Sequence, residues 1–186
     1  MQFSIARPDA VRAINQRWLL TLWNRHLAGR HVPRWQAIEA ENLTRIADNL
    51  SFLDVIAADG GLRFQIRSHG AMIGQVFGAP DCRGKFLYDS VPEPQRSQKL
   101  VPYRKAATCG RPVYTIHDIT DRDGRLVHYE RLLLPLAAGG EGVDRILAAF
   151  EFVSPDGAFV RRDLMSGLTA PPALRLSATI EAPAAT

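Results

Sequence analysis

Two stretches of this chain, Leu132-Leu133-Leu134-Pro135-Leu136 and Ile146-Leu147-Ala148-Ala149-Phe150-Glu151-Phe152, run almost without a polar side chain. Successive side chains of a β-strand point to opposite faces of its sheet, so a strand wetted on one side alternates apolar with polar. A strand that is apolar at nearly every position is covered on both faces. Something must therefore lie over each side of the sheet that holds these two. A length of 186 residues suits one domain with one core. An apolar fraction of 46% and a charged fraction of 23% exclude a disordered chain.

One cover is at hand near the start. After Pro8-Asp9, a helix-start pair, Val11, Ile14, Trp18 and Leu22 recur at helical spacing with Leu19 and Trp23 beside them, and Ala28-Gly29 supplies a C-terminal cap. This Trp-rich helix is the obvious candidate to cover the outer face. A second helical pattern runs through Ile38, Leu43, Ile46, Ala47 and Leu50. The pattern then changes to two antiparallel strands, Ser51 to Ala57 and Leu62 to His69, joined by the hairpin turn Ala58-Asp59-Gly60-Gly61. Gly70 to Phe77 reads as a short helical region, followed by a loop from Gly78 to Gly84. Glu93 to Cys109 reads as a helix with Pro94 in its first turn and Gly110 at its end, and Pro102 inside it predicts a kink or a break. Three more strands follow, Pro112 to Ile119, Leu126 to Leu136 and Arg145 to Val153, the first two joined through Asp121-Arg122-Asp123-Gly124.

The expected fold class is thus α+β, a five-stranded antiparallel sheet with helices inserted between its second and third strands and an N-terminal flanking helix. The chain divides into residues 1–36, an amphipathic helix and basic linker; 37–154, the sheet-bearing domain; and 155–186, a Pro- and Ala-rich extension expected to be mobile. No internal repeat of the solenoid or propeller kind is visible.

Cys82 and Cys109 have no CxxC spacing and read as free thiols in a reducing compartment. No stretch approaches the ~18 apolar residues of a membrane span, and the first residues lack the apolar segment of a secretory signal, so a cytoplasmic protein is expected. The formal charge is +4, with Arg7, Arg12, Arg17, Arg25, Arg30 and Arg34 opposed only by Asp9 ahead of Trp35. Such a basic segment either meets an acidic partner or is a solvated helix face. These arginines are spread out without interleaved exposed aromatics, which favours the solvated face, and no nucleic-acid motif is present.

The run Phe77-Gly78-Ala79-Pro80-Asp81-Cys82-Arg83-Gly84-Lys85-Phe86-Leu87-Tyr88-Asp89-Ser90-Val91-Pro92-Glu93 resembles the segment where PAS domains pass from their short helices toward the long connecting helix. With Trp23, Val32-Pro33-Arg34-Trp35, Phe52-Leu53-Asp54-Val55, Phe64-Gln65-Ile66-Arg67-Ser68-His69-Gly70 and Leu132 to Leu136, the chain resembles a group of stand-alone proteobacterial PAS proteins first catalogued as a domain of unknown function. The likeness spans roughly Trp18 to Val153. It departs at Gln65-Ile66, where the group has tyrosine, and at Trp35-Gln36-Ala37, which replace acidic residues.

The resemblance implies a bacterial sensory or adaptor domain in signal transduction, which holds a ligand between sheet and helices or binds another protein through an outer face. Flavin-adduct photochemistry needs a thiol at the position Leu87 occupies, with Cys82 on the wrong side of Gly84, so a flavin adduct is not expected. A haem sensor needs an iron-ligating histidine; His69 is the one conceivable ligand, and haem is not expected either. The cofactor is left unknown. His117 and His128, with Glu130, form a metal set only if the turn between their strands puts them on one face; a three-residue loop puts them on opposite faces, and a cross-strand polar pair is the plainer reading. No metal site is assigned.

Candidates for an apolar pocket with a few polar groups are Phe64, Arg67, Phe77, Tyr88, Tyr103, Tyr114, Tyr129 and Arg131. An arginine there would favour an anion, the alternative being that these aromatics are core and that Arg67 and Arg131 point to solvent or to acids. No Gly-x-Ser-x-Gly elbow, phosphate loop or dinucleotide fingerprint occurs, so no catalytic residue is assigned. The competing reading is a small cone-type enzyme acting on a hydrophobic acid through His117, Asp118 and Tyr114. A third places the Val11 to Leu27 helix at a homodimer or partner contact.

Overall fold

The computed structural model describes residues 1–89, 96–168 and 170–181. The elements are β1 (Ser4–Ala6), α1 (Ile14–Arg25), α2 (Trp35–Glu39), β2 (Leu50–Ala58), β3 (Gly61–His69), α3 (Ala71–Phe77), α4 (Arg96–Cys109), β4 (Val113–Thr120), β5 (Leu126–Leu136), β6 (Arg145–Val153) and β7 (Ala173–Ile180). All seven strands belong to one sheet in the order β1-β7-β4-β5-β6-β2-β3. The five strands read from the sequence occupy five adjacent positions in it, all paired antiparallel.

The expected strand number requires correction. β7 adds to the free edge of β4, antiparallel, and β1 adds to β7 in parallel, so the sheet is mixed and seven-stranded. Ala173–Ile180, placed by its composition in a mobile extension, pairs with β4 from Val113 to Asp118. β1 has only three residues, too few to show any periodicity.

Alternation along the strands sends side chains into two separate apolar layers. Leu132, Leu134, Leu136, Leu147 and Ala149 face α1, where Leu19, Leu20, Leu22 and Trp23 meet them. Val127, Tyr129, Leu133, Ile146, Ala148 and Phe150 face the other way, toward α3 and α4, with Ile73, Val76, Leu100, Tyr103 and Ala106 above them. The Trp-rich helix therefore covers one face, as the apolar runs require. Its buried stripe is rotated from the expected one: Gln16, Leu19, Leu20 and Trp23 turn inward, and Ile14 and Trp18 face solvent. The reason lies in hydrogen bonding. The Gln16 amide forks to the carbonyls of Glu130 and Ala149 at 3.3 and 3.0 Å, and Trp23 Nε1 donates to the Pro135 carbonyl at 2.7 Å.

The second helical pattern is broken into α2 and a 3-10 stretch, Thr44–Asn49. Asn42 Oδ1 accepts the Thr44 amide at 3.2 Å, a local bond that competes with continuing the helix. Helix α4 runs unbroken past Pro102, so no break occurs there; the expected start at Glu93 and Pro94 lies outside the described residues. The segment Pro8–Ala10 is a separate 3-10 turn ahead of α1. No helix among the described residues is long and apolar enough to cross a membrane.

Two glycines fix how the helices seat. Gly110 ends α4 at φ +60, and a Cβ there would stand 2.0 Å from His31 Nε2; Gly70 has ordinary φ, but its Cβ would stand 2.2 Å from the Ala47 carbonyl oxygen. Gly110→Ala is expected to lower stability by at least ~1–2 kcal/mol for the left-handed backbone alone. Its remaining, steric cost should be recovered in the Gly110→Ala/His31→Ala double variant. Gly70→Ala meets backbone and should not be rescued by any side-chain truncation. Urea midpoints of the single and double variants measure both.

Candidate functional site

The α4-side layer does not close. A cavity of about 350 Å³ remains between the sheet and its cover, and its volume lies at the small end of the range for ligand pockets. The sheet contributes Leu53, Ile66, His69, His117, Tyr129, Arg131 and Phe150; α3 contributes Ile73 and Phe77; α4 contributes Lys99 and Tyr103. Ser51 of β2 and Leu174 of β7 also face it, and the rest of the wall comes from Ala79, Cys82 and Leu87 after α3 and from Met1, Met165, Pro171 and Pro172.

The strand pairing explains which side chains arrive there. Thr120 pairs with Leu126, leaving the five residues 121–125 as the turn, so odd-numbered residues of β4 oppose odd-numbered residues of β5. His117 is opposite Tyr129 and Thr115 is opposite Arg131, all on the α4 face. Tyr114 is opposite Leu132 and faces α1 instead. The turn itself is held by Asp121, whose Oδ1 accepts the amides of Asp123 and Arg125, both at 2.9 Å.

The eight pocket candidates separate accordingly. Phe77, Tyr103, Tyr129 and Arg131 line the cavity. Phe64 is core beneath α4, its ring 5.6 Å from that of Tyr103, and is not part of the wall. Arg67 points away and pairs with Asp54 at 3.2 Å. Tyr88 is exposed and outside the cavity. Tyr114 is fully buried on the opposite face, where its hydroxyl donates to Glu130 Oε2 at 2.6 Å; burial first and then this bond raise its pKa. Lys99, His117, Met165, Pro171 and Pro172 were not among the pocket candidates. His117 is recoverable once the turn length is known, whereas nothing in the sequence aims the segment before β7 at the cavity.

Arg131 dominates the electrostatics. It is 5% exposed, its guanidinium carbon lies 5.0 Å from the Tyr103 ring centroid and 5.9 Å from that of Tyr129, and its Nε has no hydrogen-bond partner. Lys99 is lowered below the ordinary lysine range, by burial and then by the charge on Arg131. Burial, with Arg131 adding to it, lowers His117 to about 4, so its imidazole is neutral at pH 7. Tyr129 stacks on His117 and on Phe152 with ring centroids 5.7 and 5.0 Å apart, and burial raises its hydroxyl pKa.

The other proposed constellations do not assemble. His117 and His128 lie on opposite faces, because His128 pairs with Asp118 rather than with His117. His128 Nδ1 is 2.8 Å from Asp118 Oδ1, and Asp118 Oδ2 is 3.2 Å from Arg175 Nε. No three His, Cys, Asp or Glu side chains among the described residues are grouped to hold a metal. His117, Asp118 and Tyr114 are likewise divided by the sheet. His69 lines the cavity with both ring nitrogens engaged: Nε2 accepts the Cys82 amide at 3.0 Å, and Nδ1 is 3.2 Å from the Gly70 carbonyl.

The depressed His117 pKa carries a pH signature. Protonation in the unfolded state begins near the ordinary value of about 6.5, while the folded state resists it down to about 4. Stability should therefore be full above that upper value and fall as pH drops through the window, by at most ~3 kcal/mol from this group. His117→Gln should flatten that slope, with denaturation at pH 7, 5.5 and 4.5 as the measurement. An NMR titration showing His117 protonated at pH 6 would contradict the geometry.

A comparison with curated proteins found no match. A scan against known families matches residues 11–151 to the PAS domain, more than half of the chain, covering α1 through most of β6 and therefore the sheet floor of the cavity, α3 and α4. The chain belongs to the PAS domain family.

Proposed function

We propose that this chain is a sensory PAS domain in bacterial signalling, whose input is a small molecule held in the cavity between the sheet and α4. The cavity itself carries the reading: about 350 Å³ of space walled mostly by aromatic and aliphatic side chains, with a few polar groups that include Arg131, Lys99, His117, His69 and Ser51. Membership of the PAS family supports a sensory or signalling role at that coarse level. Output in this reading passes to a partner protein or to a second copy of the chain. Most of the apolar stripe of α1 is spent on its own sheet, which leaves Ile14 and Trp18 as the apolar residues of that helix exposed to such a contact.

The reading gives the cavity no catalytic step. In support of this, the acid, histidine and tyrosine that a hydrolase or isomerase would draw on are separated, with Asp118 engaged by His128 and Tyr114 by Glu130. Native mass spectrometry of the purified chain, with an absorbance scan from 300 to 700 nm, should show a bound small molecule or a ligand-exchangeable apo form, and in the same spectrum its oligomeric state. A chain that neither carries nor takes up any small molecule across a metabolite panel would reject the sensory cavity.

A further inference from the structure

We infer that the cavity recognises a small apolar monocarboxylate, its carboxylate on Arg131 and its hydrocarbon body against Phe77, Tyr103 and Tyr129. The inference rests on the sensory reading of this cavity and names the ligand class it takes.

The first observation is a charge without a counter-charge. Arg131 comes from β5 and Lys99 from α4, so two layers of the fold each direct a cation at one enclosed space. No Asp or Glu among the described residues lines it. Glu130, next to Arg131 in sequence, is on the far face with Tyr114 and Gln16. The Tyr103 and Tyr129 hydroxyls hydrogen-bond to the Arg131 guanidinium but bring no negative charge, and a bound anion would offset the cost of burying that cation.

The second observation is a cluster of unused hydrogen-bonding atoms at the same place. Arg131 Nε, Thr115 Oγ1 and His117 Nδ1 are all buried without a partner, and they sit at neighbouring positions of the β4–β5 ladder on the α4 face. Buried polar atoms are normally satisfied, and of these three Arg131 and His117 belong to the cavity wall, so their open nitrogens mark contacts that a bound group can take. A carboxylate suits them, since it accepts bonds from a guanidinium and still has lone pairs for an imidazole N–H. His117 is neutral and adds no third positive charge.

The rest of the wall sets the body of the ligand. It is apolar and ring-lined, with Phe77 meeting Tyr129 edge-on at 6.5 Å. At about 30 Å³ for a water-sized group, the space holds roughly a dozen non-hydrogen atoms. This fits one charged head on a short aryl or alkyl body, and disfavours polyanions, which would leave charge against phenyl rings.

Calorimetric titration of the wild-type chain with benzoate, phenylacetate and hexanoate, each beside its amide, tests the inference. The carboxylate of at least one pair should bind about tenfold or more tighter than its amide, the scale expected of a charge-assisted fork. Arg131→Met should abolish that preference while leaving amide binding within about threefold, and Lys99→Met should reduce it by a smaller factor. The wild-type comparison stands even if Arg131→Met fails to fold. Amides binding as tightly as carboxylates, or Arg131→Met keeping the preference, would overturn the carboxylate assignment and leave the sensory cavity standing. Failure of both series to bind would overturn the apolar monocarboxylate assignment, while the sensory cavity falls only if the metabolite panel is also empty.

Discussion

Burial of β5 and β6 on both faces is the condition under which everything else in this molecule is arranged. Leu132, Leu134 and Leu147 enter one layer while Leu133, Ile146 and Ala148 enter the other. Because neighbouring residues go to different layers, a slip of one residue in either strand would exchange the two cores wholesale. Pairing register, the seat of α1 and the seat of α4 are therefore a single problem with one solution. The same parity carries Tyr129 and Arg131 to the α4 side and leaves Glu130 behind with α1. Alternation along β5 thus puts Arg131 in the site and keeps its neighbour Glu130 out of it.

The two layers treat their polar groups differently. On the α1 side, the Tyr114 hydroxyl meets Glu130, the Asn15 amide meets Glu151 at 3.1 Å, and Gln16 reaches two main-chain carbonyls. The Asn15 and Gln16 bonds tie α1 to the sheet and the Tyr114 bond joins β4 to β5, while Gln16 Oε1 and Asn24 Oδ1 stay buried without a partner. On the α4 side, His117 and Arg131 retain unpaired atoms beside open space. What sets the second layer apart is the cavity next to its unpaired nitrogens.

Much of this was legible in the residues. Strand and hairpin signals located five strands because Gly and Asp punctuate them, and the apolar runs demanded a cover that α1 supplies. Four of eight pocket candidates line the cavity, and the other four failed for separate physical reasons. Tyr114 was placed by assuming a turn length that the Asp121-centred five-residue turn does not have. Arg67 alternates outward on β3, Phe64 is sealed under α4, and Tyr88 sits in a loop with no period to read. β7 was hidden because Pro171 and Pro172 stand just ahead of it and alanine abounds around it, whereas its pairing is decided by the free edge of β4, a tertiary fact. Gln16 was illegible for the converse reason: a polar side chain gives no sign that it is buried.

The added strands alter what the sheet presents at its borders. β4 would otherwise offer a row of open amides and carbonyls, and β7 occupies them. Beyond β7, among the described residues, stands only the three-residue β1. At the opposite border, the amides of Gly84 and Leu87 bond to the carbonyls of Ile66 and Phe64, and Ile66 donates to Lys85, so a loop shields β3. Long unpaired strands are templates on which like molecules stack into aggregates. With one rim covered and the other ending in three residues, the sheet offers few open edge positions for such stacking, and loss of β7 would expose those of β4.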